Sequence, residues 1–373
     1  MNGPVTESGN PAGTSTEPAA SDSPLSVMTS TTPTRLFNDS CNTSELRYSI
    51  DRGATGATSN PVICLTVLKQ EWPTWQPVLH ALVAENPGWS ETQIAWELYR
   101  RMGTAGAKLL EPVFAANDST WGRLSIQTDP TLYNNADLML AQSQELSALA
   151  PNMQVKMPCT SAGVAMIEEA TYRGVSLNVT VSFSVPQVLA IADAIERGLD
   201  RRRAEGADTG HMAPVATMMV GRLDDWLKVI AQRDGATDVS YLDWAGIACA
   251  KRAYSIFRER GYTTKFLVAA YRHLGHWREL VGGDLVHTMP HDWQVKANTS
   301  GENPTDTVGA PVPPAVMDRL LAMPEFVRAY EPNGMTHAEF DTFGPTLRTL
   351  RSFILAWHDF VGIARDAMLP NPD

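Results

Sequence analysis

The sequence predicts an α/β protein with the (β/α)8 TIM barrel fold, a disordered N-terminal tail and additional C-terminal helices. The first observation is that strand-like and helix-like segments alternate from about residue 35 to 290. The second is that eight strands can be counted, starting near 36, 55, 123, 153, 176, 214, 265 and 284. Such alternation implies parallel strands with right-handed crossovers, which close naturally into a barrel.

The first two strands are short, and each runs into a polar residue. Residues 34–39 end in an aspartate, and residues 54–59 are followed by Asn60 and a proline that disfavours helix at the preceding position. Between the two strands, Thr43 or Ser44 is the predicted N-cap of a one-turn helix.

Strict alternation of apolar and polar residues identifies further strands. Residues 122–128 alternate, and so do residues 177–183, where Asn178, Thr180 and Ser182 are predicted to face the barrel interior. Spacing of three and four instead predicts helices. These are expected at 63–69, 75–84, 91–102, 136–149, 161–173, 186–203, 223–232, 241–260 and 274–281.

The two ends of the chain differ from the barrel region. Residues 1–33 contain few large apolar side chains, so a disordered tail is predicted there and a single domain at 34–373. The barrel core is expected at about 35–290. A linker is expected at 298–314 and C-terminal helices at 315–370.

The last part of the chain carries an apolar stripe at helical spacing. The stripe consists of Leu347, Leu350, Ile354, Trp357, Val361, Ala364 and Met368. We expect this helix to pack against the outer helices or the mouth of the barrel, and a homodimeric coiled coil is the alternative.

Composition argues against several classes of partner and location. The formal net charge of −11 disfavours nucleic acid or an anionic membrane as the main partner. No apolar stretch approaches the ~20 residues of a membrane-spanning helix. The chain has no apolar signal-peptide core, and its four cysteines are widely spaced without a Cys-x-x-Cys pair, which predicts reduced thiols in the cytoplasm.

A single lysine, Lys156, lies in the middle of the apolar run at residues 152–160. In a strand that is buried on both faces, an ammonium group costs free energy unless it is paired or neutralised. Burial lowers the pKa of a lysine, and a neutral amine can attack a carbonyl to form a Schiff base. The alternative is an edge-strand lysine whose ammonium reaches solvent.

Polar residues mark the carboxyl ends of the predicted strands, where active sites of such barrels lie. They are Asp39, Asn60, Gln127, Asp129, Lys156, Asn178, Thr180, Arg222 and Arg272. This set suits a phosphorylated carbonyl substrate, because arginines bind phosphate and their charge helps keep a lysine neutral. Taken singly, Asp39 could be a helix cap. Arg222 could pair with Asp224 or Asp225, and Arg272 could lie on a solvated face near Glu279.

In order and spacing, these residues resemble the transaldolase family of class I Schiff-base aldolases over about residues 35 to 290. The motifs are Asp39, Ala57-Thr-Ser-Asn-Pro61, Leu124-Ser-Ile-Gln-Thr-Asp-Pro130, Val155-Lys-Met-Pro-Cys-Thr160, Asn178-Val-Thr180 with Phe183-Ser184, Val220-Gly-Arg222 and Tyr271-Arg-His-Leu-Gly275. The resemblance implies an enzyme without metal or other cofactor. It would transfer a dihydroxyacetone unit from a ketose phosphate donor to an aldose phosphate acceptor.

The resemblance also implies roles for individual residues. Lys156 would be the Schiff-base nucleophile, Asp39 the acid and base for the sugar hydroxyl proton, and Thr180 the residue that positions the catalytic water. Substrate-binding roles fall on Asn60, Thr58, Ser59, Asn178, Thr217, Arg222 and Arg272.

Three positions depart from the family pattern. Gln127 stands where transaldolases have a catalytic glutamate, and an amide can orient water but cannot accept a proton. Related fructose-6-phosphate aldolases also have glutamine there, so an aldolase that releases dihydroxyacetone is an alternative. Met219 matches neither the usual phenylalanine nor the aldolase tyrosine, and Ala270 replaces a phosphate-contacting serine. A catalytically silent sugar-phosphate-binding barrel is therefore a further alternative.

Two other groups of residues are candidates for a functional role, the histidine pairs as metal ligands and Cys159 as a nucleophile. His273 and His276 are three apart, and His287 and His291 are four apart, but Pro290 disrupts the second pair. No carboxylate or thiolate cluster accompanies either pair in the sequence, so no metal site is predicted. Cys159 is expected to be a packing residue.

Overall fold

The computed structural model describes residues 17–372, and eight parallel strands form a closed barrel in this part of the chain. Each strand pairs with the next one, and the last strand pairs with the first. The strands are β1 (Arg35–Asn38), β2 (Ala54–Thr58), β3 (Arg123–Gln127), β4 (Met153–Pro158), β5 (Leu177–Thr180), β6 (Val215–Met219), β7 (Lys265–Ala269) and β8 (Leu285–Met289). The predicted fold class is confirmed.

Sixteen α-helices accompany the strands within the described residues. They are α1 (Pro24–Thr31), α2 (Thr43–Ile50), α3 (Pro61–Gln70), α4 (Trp72–Glu85), α5 (Glu91–Ala116), α6 (Ala136–Ser147), α7 (Ser161–Tyr172), α8 (Val185–Ala204), α9 (Val220–Arg233), α10 (Ala245–Arg260), α11 (Gly275–Arg278), α12 (His291–Asn298), α13 (Pro314–Leu321), α14 (Pro324–Tyr330), α15 (His337–Phe340) and α16 (Gly344–Met368). No helix of residues 17–372 is long and apolar enough to cross a membrane.

The barrel strands have one apolar and one polar set of side chains, and both sets are buried. On β3 and β4, Ser125 and Gln154 are buried, and the Ser125 hydroxyl donates to the Gln154 side-chain oxygen over 2.7 Å. The apolar residues that alternate with the polar ones along each strand, such as Ile126, are fully buried as well. Because side chains alternate across a strand, the polar set shares one face. This polar layer carries the candidate site.

Strands β5 and β7 are each followed directly by a residue with left-handed backbone. Val181 has a φ of 55° and Ala270 a φ of 66°, which is costly for residues other than glycine and most unusual for a β-branched one. The prediction that the fifth strand continues to residue 183 is therefore wrong, because the chain turns away after Thr180. Both strained positions lie at the carboxyl ends of the strands.

The cap of α2 also differs from the prediction. Asn42, rather than Thr43 or Ser44, is the N-cap, and its side-chain oxygen accepts from the Ser44 and Glu45 amides over 3.0 and 3.2 Å. Asparagine is as good a cap as serine, and its position lets one oxygen reach both free amides.

Helix α1 lies within the segment that was predicted to be disordered. Its Leu25 and Met28 side chains are fully buried, and the Trp277 indole N–H donates to the Met28 sulfur over 3.2 Å. Ser23 caps the helix. The prediction is thus wrong for residues 24–31, because two apolar side chains three apart suffice to dock one short helix. Residues 1–16 lie outside the described part of the chain.

Helix α16 packs across several elements of the barrel. It contacts α3, α5, α9 and the short helical turn Pro130–Leu132, as the apolar stripe led us to expect. The buried stripe differs in detail, because Leu347 is exposed while Phe353 and Phe360 are buried. Whether the chain forms a homodimer through this helix stays a prediction.

The docking of α1 can be tested by truncating its buried leucine. We expect Leu25→Ala to lower the free energy of unfolding by about 2 to 5 kcal/mol, because it leaves a cavity where a fully buried side chain was packed. Urea unfolding followed by circular dichroism measures this change. The exposed Thr31→Ala of the same helix should change stability by no more than about 0.5 kcal/mol. Equal, negligible effects of the two variants would mean that α1 does not dock.

Candidate active site

Lys156 lies inside the barrel, between two other polar residues of the candidate site. In the strand register it is opposite Gln127 on β3 and Asn178 on β5. Its side chain is 4% exposed, and its Nζ donates to the Ser59 carbonyl oxygen over 3.2 Å. The edge-strand alternative is therefore wrong, because β4 has a neighbour on both sides and the amine does not reach solvent.

Burial lowers the pKa of Lys156, and the nearby charge of Arg222 lowers it further. The carboxylate of Asp39 acts in the opposite direction. Burial is the largest of these contributions. At a given pH, the fraction of Lys156 present as free amine is therefore larger than for a lysine in water. This is the protonation state that attacks a carbonyl.

Asp39 follows β1 and is fixed by a chain of hydroxyl groups. The Thr58 hydroxyl donates to Asp39 Oδ1 over 2.6 Å, and its oxygen lies 2.5 Å from the Thr288 hydroxyl. Because Thr58 uses its own hydrogen on Asp39, Thr288 must donate to Thr58. Asn42 is the cap of α2, so the alternative role of Asp39 as a helix cap is wrong.

The pKa of Asp39 is raised, again mainly by burial, while Lys156, Thr58 and Arg222 lower it. Asp39 keeps some exposed surface, although burial is the main cause of its raised pKa. A carboxyl group with a raised pKa next to an amine with a lowered pKa is an arrangement suited to proton transfer near neutral pH.

The Asn178 side chain is held from both sides within the polar layer. Its oxygen accepts from the Thr217 hydroxyl over 2.6 Å, and its nitrogen donates to the Ser125 hydroxyl over 3.0 Å. Thr217 was predicted to bind substrate, and in the structure its hydroxyl hydrogen is donated to Asn178. These bonds fix the orientation of the amide next to Lys156.

The segment Thr58 to Asn60 is likewise fixed at every residue. Ser59 donates its hydroxyl to the Ser125 carbonyl oxygen over 2.9 Å. The Asn60 side-chain oxygen caps α3 by accepting from the Ile63 amide over 3.0 Å. The oxygen of Asn60 is thereby used, and its side-chain N–H groups are the part that can meet a substrate hydroxyl.

Three predicted site residues have a buried polar atom without a hydrogen-bond partner in the described residues 17–372. They are Gln127 through Oε1, Thr180 through Oγ1 and Arg222 through Nε. A buried polar atom without a partner is costly, and such atoms also occur elsewhere in the described chain, for example on Ser49 and Thr171. From the sequence, Gln127 and Thr180 are predicted to contact water and Arg222 to contact phosphate.

Arg222 and Arg272 come together because two backbone segments approach closely. A Cβ on Gly221 would lie 2.2 Å from the Ala270 carbonyl oxygen, so only glycine fits between the start of α9 and the end of β7. Burial lowers the pKa of Arg222, and the charge of Arg272 lowers it further. Asp225 pairs with Arg272 through two N–H groups over 2.8 and 2.9 Å.

The alternative surface ion pairs, Arg222 with Asp224 or Asp225 and Arg272 with Glu279, are not observed among the described residues. Asp225 pairs with Arg272 instead of Arg222, and Glu279 pairs with Arg278. No hydrogen bond of Arg222 to another residue is present within the described part of the chain. Its guanidinium group is therefore available for an anion.

A carboxylate does accompany His273 and His276, contrary to the sequence analysis. Asp224 of α9 lies with both histidines in a group whose candidate ligand atoms are within 4.8 Å of one another. Sequence reasoning missed it because the residues come from consecutive βα units. The metal hypothesis therefore has to be judged on the hydrogen bonds of this group.

Three of the four ring nitrogens of His273 and His276 have hydrogen-bond partners in the protein. The Arg272 amide donates to His276 Nδ1 over 3.1 Å, so Nε2 carries the proton and donates to Asp224 over 2.7 Å. His273 Nε2 faces the Asp243 carbonyl oxygen at 3.1 Å. Burial lowers the pKa of His273 to about 4. This pattern fits a support for the Arg272 backbone better than a metal site.

Other residues complete the comparison of sequence and structure. Burial raises the pKa of Cys159, so its thiol is protonated and unsuited to be a second nucleophile. Sequence reasoning missed Ser125 and Thr288, which hold Asn178 and Thr58. Thr288 lies near the carboxyl end of β8, the one strand to which no site residue was assigned, and that gap was the available signal.

Comparisons with known proteins identify the family of this chain. The family model described as Transaldolase/Fructose-6-phosphate aldolase matches residues 36–328. Transaldolase 1 of Streptomyces avermitilis is 30% identical over 239 residues, which are 57% of this chain and 63% of that protein. A transaldolase of Acidothermus cellulolyticus is 29% identical over 59% of each chain.

A transaldolase of Mycolicibacterium smegmatis is 28% identical over 62% of this chain and 70% of that protein. The chain thus spans about three fifths of the length of the first relatives it matches. The family match, in contrast, runs from β1 into α14 and includes every predicted site residue. The chain therefore belongs to the Transaldolase/Fructose-6-phosphate aldolase family.

Proposed function

We propose that this protein is a transaldolase-type transferase that moves a dihydroxyacetone unit from a ketose phosphate to an aldose phosphate. The observation that carries this proposal is the buried Lys156, whose pKa is lowered, beside Asp39, whose pKa is raised. The names of the relatives, which are transaldolases, support it. The proposal includes a cytoplasmic location, which the four free cysteines support, and a possible homodimer.

In the first half of the reaction, the Lys156 amine attacks the ketone carbon of the donor. The carbonyl oxygen takes one proton from the attacking amine and a second proton from solvent and leaves as water, so that an iminium ion links lysine and sugar. Thr180 and Gln127 have buried oxygens without a partner, and these can hold the water as it leaves and returns. Asn60 and Asn178 donate N–H groups to hydroxyls of the three-carbon unit.

In the second half, Asp39 takes the proton from the sugar hydroxyl next to the bond that breaks. The electron pair of that carbon–carbon bond moves to the iminium and forms an enamine, while the aldose phosphate leaves. The enamine then attacks the aldehyde carbon of the acceptor, and Asp39 returns the proton to the new alkoxide. Hydrolysis of the iminium releases the product and restores Lys156.

The phosphate group is expected at Arg222 and Arg272, on the side of the mouth formed by α9 and the end of β7. Arg222 has no hydrogen bond within the described residues, while Asp225 uses part of Arg272. Arginine binds phosphate through paired N–H groups, so both residues fit this task.

A class I aldolase that releases dihydroxyacetone is the second candidate, and Gln127 is the observation that favours it. An amide cannot accept the proton that a glutamate would take from the attacking water or carbinolamine. Met219 and Ala270 also depart from the transaldolase pattern. A barrel that only binds sugar phosphates is the remaining alternative, and binding without turnover across several ketose phosphates would favour it.

The nucleophile can be identified by trapping. Borohydride reduction in the presence of fructose 6-phosphate should add a covalent mass to the wild-type protein and none to Lys156→Met, which loses turnover. The exposed Lys69→Met is the matched control and should be trapped like the wild type. Lys156→Met should stay folded because it removes a costly buried amine. Adduct on Lys156→Met, or none on the wild type, contradicts the proposal.

The role of Asp39 can be separated from Schiff-base formation. Asp39→Asn should lower kcat by about 10² to 10⁴-fold while the adduct on Lys156 still forms. Because the Asp39 carboxylate raises the pKa of Lys156, its removal should shift the pH midpoint of trapping to lower pH. Trapping measured across a pH series tests the sign. A midpoint that moves to higher pH would show that Asp39 does not act on the lysine as described.

Gln127→Glu distinguishes the two enzyme candidates. If the rest of the site suits transfer, this change should raise the rate of transfer to an aldose phosphate relative to release of dihydroxyacetone. Dihydroxyacetone is assayed with and without the acceptor. Thr128→Ser, a conservative change at the next residue of the same segment, is the control. No gain in transfer would point to Met219 or Ala270 as the dominant departure.

A further inference from the structure

A cavity of about 520 Å³ lies between α10, the segment after α12 and the helices α13 and α14. We call it the α10 cavity, since Lys251, Arg252, Tyr254, Ser255 and Arg258 of that helix form one wall. Among the described residues that line it, none is a predicted site residue, so a ligand here would not occupy the barrel mouth. Small-molecule sites have volumes of about 300 to 1,000 Å³, and the cavity falls in this range.

The wall that faces α10 is held in place by the protein itself. It belongs to the segment between α12 and α13, which the sequence predicted to be a linker. The Lys251 ammonium donates to the Thr307 and Ala310 carbonyl oxygens over 2.5 and 2.8 Å. The Val281 carbonyl oxygen accepts from the Thr307 and Val308 amides over 2.8 and 2.9 Å. The cavity is therefore formed without a ligand, which reduces the entropic cost of binding one.

Three cations of α10 line the cavity, namely Lys251, Arg252 and Arg258. Lys251 uses two of its three N–H groups on the facing wall. The side chains of Arg252 and Arg258 have no hydrogen bond or ion pair within residues 17–372. The guanidinium carbon of Arg252 lies 5.9 Å from the centre of the Tyr330 ring. Both arginines are exposed, so their N–H groups are available to a ligand.

No carboxylate lines this cavity among the described residues. Two acids lie close enough to act on its side chains. Glu259 accepts from the Ser255 hydroxyl over 2.9 Å, and Glu279 acts on Lys251 through its charge. Neither is bonded to Arg252 or Arg258. In a chain with a formal net charge of −11, three cations around one cavity without a lining carboxylate indicate an anionic ligand.

The rest of the lining is mainly apolar or aromatic. It includes Val308, Pro311, Val312, Met317 and Tyr330. The Tyr330 ring stacks on Phe326 with ring centres 5.3 Å apart and an angle of 22° between the planes, which fixes its orientation. An inorganic anion would leave this surface in contact with water, whereas a ligand with a ring would bury it. Charge and lining together thus indicate a ligand with an anionic group at one end and a ring at the other.

We propose that the α10 cavity binds an organophosphate that carries an aromatic ring and is about the size of a nucleoside monophosphate. A phosphate monoester carries nearly two negative charges near neutral pH, so it suits several cations better than a single carboxylate does. Its oxygens accept from the free N–H groups of Arg252 and Arg258, and the ring lies against the apolar lining. This binding site is separate from Lys156 and does not depend on the proposed reaction.

Calorimetry with adenosine 5′-monophosphate tests the proposal. The wild type should bind this nucleotide, and Arg252→Ala and Arg258→Ala should each bind it about tenfold more weakly, as for one lost charged hydrogen-bonding group. Adenosine and inorganic phosphate should each bind at least about tenfold more weakly than the nucleotide, because each supplies only part of the contacts.

Three further variants locate the binding. Arg47→Ala removes an exposed arginine of α2 whose side chain has no hydrogen bond or ion pair within the described chain, and it should bind the nucleotide like the wild type. Arg222→Ala should also bind it like the wild type, which separates the α10 cavity from the barrel mouth. Val312→Trp fills the cavity without removing a charge and should lose binding.

The inference is overturned if the wild type does not bind the nucleotide, or if Arg252→Ala and Arg258→Ala bind it unchanged. Unchanged binding in Val312→Trp, or a loss in Arg47→Ala or Arg222→Ala equal to that of the α10 variants, also overturns it. Trapping of fructose 6-phosphate on Lys156 is measured separately and should be unchanged in Arg252→Ala. Failure of this inference and failure of the proposed function are therefore distinguishable.

Discussion

The burial of Lys156 is the constraint on which the rest of the site depends. An ammonium group in the barrel interior loses its hydration, so the free amine is favoured and the pKa falls. The structure tolerates this because the Ser59 carbonyl oxygen accepts from the amine and Asp39 lies nearby. A fully ionised Asp39 would hold the lysine as an ammonium. Burial raises the pKa of Asp39 too, and this keeps proton exchange between substrate and carboxyl group feasible.

Such a balance requires fixed neighbours, and the polar layer of the barrel provides them. Hydrogen bonds link Gln154, Ser125, Asn178 and Thr217 across four consecutive strands, β3 to β6. A second chain links Thr288, Thr58 and Asp39 across β8, β2 and the end of β1. Each link uses a hydroxyl or amide that would otherwise be a costly buried group. Gln127, Thr180 and Arg222 are among the residues that keep a buried polar atom without a partner, and substrate and water are expected at these three.

Local patterns were sufficient to predict the barrel and the position of Lys156 in its fourth strand, because alternation and helical spacing are properties of a few adjacent residues. The turn after Thr180 could not be predicted, since Val181 adopts a left-handed conformation that its residue type disfavours. Tertiary pairing also lies beyond a single sequence. Asp225 lies three residues from Arg222 but pairs with Arg272, and Asp224 joins two histidines of the next βα unit. The prediction of disorder was wrong for α1, because burial of two apolar side chains, Leu25 and Met28, stabilises this helix in a segment of mostly polar composition.

The positive end of the site acts on the lysine as well as on the substrate. Arg222 lowers the pKa of Lys156, and Arg272 adds positive charge beside Arg222. Before substrate binds, this field favours the neutral amine that must attack. In the proposed reaction, a bound phosphate dianion would offset this field, and the cationic iminium would then form in surroundings that are less hostile to positive charge. One cluster of arginines therefore suits both stages, since it activates the nucleophile when phosphate is absent and stops opposing the cationic intermediate when phosphate is present.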